Sequence, residues 1–238
     1  MRPKILSMCS SRNRPVELIR MLESFDATRT LDTEIVVYIS LDDPHLQEYI
    51  DALRGRRWLY FIGPHKYMAE VLNFFSREVF PDCEYYQEVN DDHIYQTVGW
   101  DKMLVDCILQ QGEGWGIACP NSLIDKNPSA YMISGNIVRL LGWFILPKLR
   151  HLFGDCSTTT LGNGLRRLFH VEEAHVYHKC WHATQFGHDT GALKDENCDW
   201  IYSKPEEDHG RNVCEAWDCA GDVKKINDAI IAAGGRAF

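Results

Sequence analysis

The 238 residues are 45% hydrophobic and 25% charged, ordinary proportions for a chain that buries a sizeable core in one large domain or two small ones. With 25 basic against 34 acidic residues the net charge is −9, which excludes a protein that coats nucleic acid by general attraction. An acidic chain can still hold an anionic ligand where a few cations converge in one cleft.

The first half alternates strand and helix patterns. A strand is expected over Ile5 to Met8. Pro15 then stands where a first helical turn accepts it, and Leu18, Ile19, Leu22 and Phe25 share one helical face. The β-branched run Glu34 to Leu41 reads as a strand that stops at the turn signal Asp42-Asp43-Pro44. A helix over His45 to Leu53 and a strand over Trp58 to Ile62 follow. Met68, Val71, Leu72, Phe75 and Val79 mark a further helix by their spacing of three and four. Cys83 to Val89 is a strand, with Asn90-Asp91-Asp92-His93 at its carboxyl end. Later come a helix over Trp100 to Leu109, strands over Trp115 to Cys119 and Tyr131 to Ser134, and a helical run near Ile137 to Leu141. The polar stretch Asp155 to Asn163 is expected to contain a helix start, Val171 to Tyr177 a strand, and His178 to Gly210 a loop. A final helix carries Val223, Ile226 and Ile230 on one face.

Such alternation predicts an α/β fold with a mixed, mainly parallel sheet flanked by helices. In these sheets ligands bind beyond the strands' carboxyl ends. Three polar clusters fall at that edge: Ser10 to Arg14, Asp42-Asp43, and Asn90 to His93.

Each cluster has a chemical reading and a plainer one. Adjacent carboxylates at a strand end hold a hard cation, or form a solvated acidic turn. Ser10, Ser11, Arg12 and Arg14 suit phosphates or a base edge near a helix N-terminus, or Arg pairs with Asp42 or Asp43 on the surface. Asp42 is able to accept hydrogen bonds from a base or ribose. Asp155 is either a base near an acceptor hydroxyl or the N-cap of the helix that follows. His178, fixed by the strand before it, is the best histidine to complete mixed oxygen–nitrogen coordination, with His182 second. Nine scattered cysteines without a CxxC pair, and no signal-peptide-like run after Met1-Arg2-Pro3-Lys4, suggest reduced thiols in a cytoplasmic chain. A zinc site drawn from Cys180, His182, Cys198, Cys214 and Cys219 is the less favoured alternative. No stretch approaches the roughly 20 apolar residues of a membrane span.

Together these residues resemble the family-2-like GT-A glycosyltransferases, which transfer sugars from nucleotide diphosphates. Residues 1–15 look like that family's opening strand and polar motif. Leu41-Asp42-Asp43 looks like its acidic second-strand end, Val89 to His93 like its DxD-type metal motif with Asn90 in the first carboxylate's place, and Phe153 to Cys156 like its acidic base region. Val171 to His178 resembles the strand that brings a late histidine to the metal. The resemblance spans about residues 4–180 of this chain, and the short form is similar to the compact glycosyltransferases of phage and bacterial sugar-modification clusters.

It implies a single GT-A-like domain over 1–238, with a nucleotide-sugar half to about residue 120 and an acceptor half and tail beyond. The implied cofactor is Mn²⁺ or Mg²⁺ on Asp92, His93 and His178. The implied donor, a UDP-sugar favoured, meets Ser10, Ser11, Arg12, Arg14, Asp42, Asp43 and Asp91. Asp155 is the implied base, and the acceptor is a glycan, a small molecule or a hydroxymethylated DNA base. Two other classes compete. A nucleotidyltransferase would favour a glycine-rich, lysine-bearing loop after the first strand, where SSRNRP has no glycine. A non-catalytic nucleotide-sugar-binding module is the other.

Overall fold

A computed structural model of the chain describes residues 4–123, 128–179, 181 and 194–237. In chain order the elements are β1 (Ile5–Ser11), α1 (Pro15–Thr28), β2 (Thr33–Ser40), α2 (Leu46–Leu53), β3 (Leu59–Gly63), α3 (Met68–Phe74), β4 (Tyr85–Val89), β5 (His93–Tyr95) and α4 (Trp100–Gly112). They continue as β6 (Ile117–Asn121), β7 (Met132–Ser134), α5 (Gly135–Leu141), α6 (Gly154–Leu165), β8 (Leu168–His178), α7 (Glu196–Ile201), α8 (Lys204–Glu215) and α9 (Cys219–Ala232).

The strands form one eight-stranded sheet in the order β3-β2-β1-β4-β7-β6-β8-β5. β1 pairs in parallel with β2 and β4, β2 with β3, and β6 with β8, whereas β7 runs antiparallel to β4 and β6, and β5 antiparallel to β8. The mixed, mainly parallel sheet expected from the sequence is present. β1 and β4 are buried almost throughout because helices cover both faces. One apolar layer holds Leu18, Leu22 and Phe25 of α1 with Trp100 and Leu104 of α4. The other holds Val71 and Leu72 of α3, Leu161 and Leu165 of α6, and Ile226 and Ile230 of α9. Ser7 and Gln87, on neighbouring strands inside the sheet, are paired: Ser7 Oγ donates to Gln87 Oε1 at 2.7 Å, and Gln87 Nε2 donates to the Ala130 carbonyl at 3.0 Å.

Two expectations need correcting. The helix predicted through Val79 leaves α-geometry at Phe75, and Phe75–Val79 forms a π-turn closed by Phe80 N–H on the Phe75 carbonyl at 2.8 Å. The segment 178–210, read as loop, contains α7 and the start of α8. The start signal of α8 is Ser203 followed by Pro205 and the first-turn acids Glu206 and Glu207. Packing fixes it, with Gly210 against Phe153, where a Cβ would stand 2.5 Å from the ring, and buried Glu206 3.4 Å from Arg150.

Candidate active site

Because β1, β2 and β4 are parallel, their carboxyl ends share one edge, and the three polar clusters meet there. The turn after β1 is tight. Asn13 has a φ of +61°, a conformation Asn tolerates better than most residues, and its N–H donates to Asp43 Oδ2 at 2.9 Å. Tyr49, buried in α2, joins this turn to β4. Arg14 N–H reaches the Tyr49 hydroxyl at 2.8 Å, that hydroxyl lies 2.8 Å from Ser11 Oγ, and Ser11 Oγ donates to Asp91 Oδ2 at 2.7 Å. The chain of hydrogen bonds aims the Asp91 carboxylate, so Ser11 acts on the site through Asp91.

Arg14 is the local cation. Its Nη1 lies 3.4 Å from both Asp91 Oδ1 and Asp92 Oδ2, and its Nε lies 2.5 Å from Asp195 Oδ2. Burial works against the guanidinium charge, but Asp91, Asp195 and Asp92 outweigh it and hold the group protonated. Burial pushes the Asp91 carboxyl up, against the pull of Arg14. At Asp92 burial is overcome by His178, His93 and Arg14, and the carboxyl is held below its ordinary range.

The β5–β8 ladder sets His93 directly opposite His178, with ring centroids 4.7 Å apart and edge to face. Donor atoms of Asp92, His93 and His178 all lie within 4.8 Å of one another, the one such group among the described residues. Asp92 Oδ1 is buried, takes no hydrogen bond from the described residues, and stands 3.3 Å from His178 Nε2. Two ligand atoms each about 2.1 Å from one ion stand at about this separation. An oxygen and a nitrogen donor in that relation fit a Mn²⁺-like ion. His93 differs in detail. Its Nδ1 accepts the Asn90 N–H at 3.1 Å, which puts the proton of a neutral ring on Nε2. Coordination through Nε2 requires that hydrogen bond to be given up.

Ser10, Arg12, Arg14, Asp91, Asp92 and His178 line a cavity of about 470 Å³, within the range of small-ligand sites. Ser11, Asp42, Asp43, His93 and Asp155 are not among the residues that line it. Exposed Asp42 pairs with Arg12 Nη1 at 2.9 Å, the surface pairing that competed with a ligand role. Asp43 is buried, and its carboxylate accepts the N–H groups of Asn13 and His45, so it staples two turns. Asp155 is the second residue of α6. The N-cap position belongs to Phe153, at φ +69°, so the capping alternative is corrected: Asp155 accepts the Cys156 N–H at 2.8 Å inside the first turn, where helix dipole and carboxylate attract. His182, Cys180 and the rest of 182–193 lie outside the described residues.

Several cavity residues carried no readable signal of a site in the sequence. His65 and Tyr67 come from the β3–α3 connection, His151 from the connection before α6, and Asn197 and Trp200 from α7. Met68, read from its spacing as a helix residue only, lines the cavity from the first position of α3, and Cys198, expected only in the zinc alternative, lines it from α7. Burial, helped by the charge of Arg14, pushes His151 down to about 4, so its imidazole is neutral.

Glu88 lies beneath the site on β4, in register with Met8 and on the face that α6 covers. Burial, then the charge of Asp155, pushes its carboxyl up to about 8 against the pull of His178. The unfolded chain loses this proton near 4.5, so between about 4.5 and 8 the folded state binds more protons and stability falls as pH rises. Glu88→Gln is expected to remove a slope of at most about 1.4 kcal/mol per pH unit and to stabilise the protein most at pH 8. Urea titrations of both proteins from pH 5 to pH 8 check this. Parallel stability curves would show that Glu88 ionises freely in the fold.

The sheet order, the helical layers and the polar carboxyl edge are those of a GT-A fold. No protein-family model and no curated protein matches the chain. Solved structures do. The mannosyltransferase PcManGT from Pyrobaculum calidifontis, in complex with GDP-Man and Mn²⁺, is similar with a TM-score of 0.57 and 12% identity over 98% of this chain and 76% of its own. S. aureus TarS 1-349 in complex with UDP-GlcNAc is similar with a TM-score of 0.58 and 12% identity, over 95% of this chain and 72% of that one. Glucosyl-3-phosphoglycerate synthase from Mycobacterium tuberculosis, in complex with Mn²⁺, UDP and phosphoglyceric acid, gives 0.58 and 11% over 91% and 80%.

Proposed function

We propose that this chain is a metal-dependent glycosyltransferase, moving a sugar from a nucleotide-diphospho-sugar, with UDP-sugars favoured, to an acceptor hydroxyl with inversion. The observation that carries the reading is the meeting of Arg14, Asp91, Asp92 and His178, from three distant segments, in one cavity at the carboxyl edge of a GT-A sheet. The fold neighbours with GDP-Man, UDP-GlcNAc and Mn²⁺ bound support it.

Asn90-Asp91-Asp92 takes the part of the DxD motif. Asp92 and His178 would hold Mn²⁺ or Mg²⁺, with Asp91 and His93 beside them. When bound, the ion supplies positive charge to the departing diphosphate. Arg14 adds a guanidinium on the same side, and Ser10 and Arg12 border the nucleotide. Asp155 takes the proton of the acceptor hydroxyl as that oxygen bonds to the anomeric carbon and the bond to the diphosphate breaks. The acceptor is a glycan, a small molecule or a hydroxymethylated DNA base, received by the half of the domain after about residue 120. Among the described residues no helix is long and apolar enough to cross a membrane. The eight described cysteines are free thiols, which suits the cytoplasm.

The two arginines are expected to separate. Arg14→Ala removes a half-buried, charge-assisted contact, and donor affinity measured by calorimetry with Mn²⁺ should fall about 10- to 100-fold. Arg12→Ala should cost much less, because Arg12 is engaged by Asp42. Wild-type affinity in Arg14→Ala would count against a diphosphate at this turn.

A further inference from the structure

α7 lines one side of the cavity through Asn197, Cys198 and Trp200, and its contacts converge on the turn after β1. Asp195, the N-cap of α7, accepts the Cys198 N–H at 3.0 Å and holds Arg14 Nε at 2.5 Å. Asn197 Nδ2 donates to the Arg12 carbonyl at 2.7 Å, and Asn13 Nδ2 reaches Asn197 Oδ1 at 3.3 Å. Buried Cys198 has its Sγ 3.7 Å from Arg14 Nη2. At the far end Trp200 stacks on Tyr67, with centroids 5.6 Å apart and planes 9° from parallel, while Arg150 covers Tyr67 at 5.0 Å.

The charges around Arg14 define what that arrangement does. One guanidinium faces three carboxylates, Asp91, Asp92 and Asp195, and with all three ionised the group carries −2. Asp91 and Asp92 come from β4 and belong to the site. Asp195 comes from a separate strap of chain and uses the Arg14 Nε–H, the donor face left over by the other two. An oxygen pair on a carboxylate and the oxygens of a phosphate compete for the same guanidinium geometry.

We propose that Asp195 is a built-in competitor of the donor's diphosphate: it occupies Arg14 as an internal anion and holds α7 against the cavity until a phosphate displaces it. The inference rests on the proposed nucleotide-diphosphate site. A divalent ion brings the −2 group to neutrality, and departure of Asp195 leaves it at +1, which favours an anionic ligand. Displacement removes the charged tie at the near end of α7 and leaves the two Asn197 hydrogen bonds to the turn, so the cover over Cys198 loosens while the Trp200 stack remains as a hinge-side anchor.

The test uses Asp195→Asn, which removes the charge and keeps an equally good N-cap, with Asp195→Ser as a second cap-preserving variant. Calorimetry with Mn²⁺ and UDP, GDP or inorganic pyrophosphate is paired with alkylation of Cys198, read by peptide mapping. In the wild type, Mn²⁺ with the bound anion should raise Cys198 alkylation several-fold. In both variants the anion should bind about three- to tenfold more tightly, since the pair being removed is partly exposed. Arg14→Ala should make Cys198 reactive without ligand. Wild-type binding with unchanged affinity in both variants would overturn the competitor role and leave the diphosphate site standing. Faster alkylation in the variants without tighter binding would make Asp195 a fastening of α7 only, and would also overturn it. Absence of binding by all three probes to the wild type would take down the site reading and this one together.

Discussion

Asp92→Asn is expected to abolish Mn²⁺-dependent nucleotide binding while leaving the fold intact. Asp92 is the hub of the site: Oδ2 faces Arg14 and Oδ1 faces His178, whose ring meets His93 edge to face. Losing an outer-shell partner of a metal ligand already costs about 10- to 100-fold in metal affinity, and losing a carboxylate ligand should cost at least about 100-fold. The amide keeps the shape and one oxygen, so the near-ultraviolet circular dichroism and the melting temperature should stay close to the wild type. Titration of Mn²⁺ by electron paramagnetic resonance, with and without UDP, reads the binding directly. Unchanged Mn²⁺ affinity in the variant would remove Asp92 from the metal site, and with it the reason for His178 to stand opposite.

Asp155→Asn should leave donor binding intact and lower transfer by a factor of about 10² or more, the usual scale for a positioned base. Its carboxylate sits in the first turn of α6, outside the N-cap position, and its charge is strong enough at Glu88 to help hold that acid protonated. The amide can still accept the Cys156 N–H, so the helix should persist. A structural role alone would move the melting temperature with little change in turnover at saturating donor and acceptor. Near-normal turnover would transfer the base role elsewhere, and His151 is then the first residue to examine, because it lines the cavity with a neutral imidazole.

The first half of the fold was more legible in the sequence than the second. Of the buried parallel strands, Thr33–Ser40 reads as a β-branched apolar run and Ile5–Ser11 and Tyr85–Val89 as short mixed runs closed by polar residues, and the turn residues stand at the edge where ligands collect. The convergence of Ser10 to Arg14 with Asp91 and Asp92 follows from strand direction alone. What could not be read was which polar residue would be engaged by which neighbour. Asp42 and Asp43 look equivalent in sequence, yet one pairs with Arg12 on the surface and the other is buried between two backbone turns. His93 and His178 are 85 positions apart, and only the antiparallel β5–β8 pairing makes them neighbours. The tail was missed for a related reason. α7 is six residues long and α8 is mostly polar, so neither shows apolar periodicity, and tertiary contacts decide their place.

The central claim is glycosyl transfer from a nucleotide-diphospho-sugar, and product analysis tests it most directly. The purified chain is incubated with UDP-, GDP-, CDP- and dTDP-sugars, with Mn²⁺ or with EDTA, and products are followed by mass spectrometry. Many enzymes of this kind slowly pass the sugar to water, so the true acceptor is not needed. The expected result is release of a nucleoside diphosphate and free sugar from one donor class, dependent on Mn²⁺ and lost in Asp92→Asn. A donor that binds but is never cleaved would make the chain a binding module, and cleavage within the diphosphate, releasing a nucleoside monophosphate or a sugar phosphate, would contradict sugar transfer altogether.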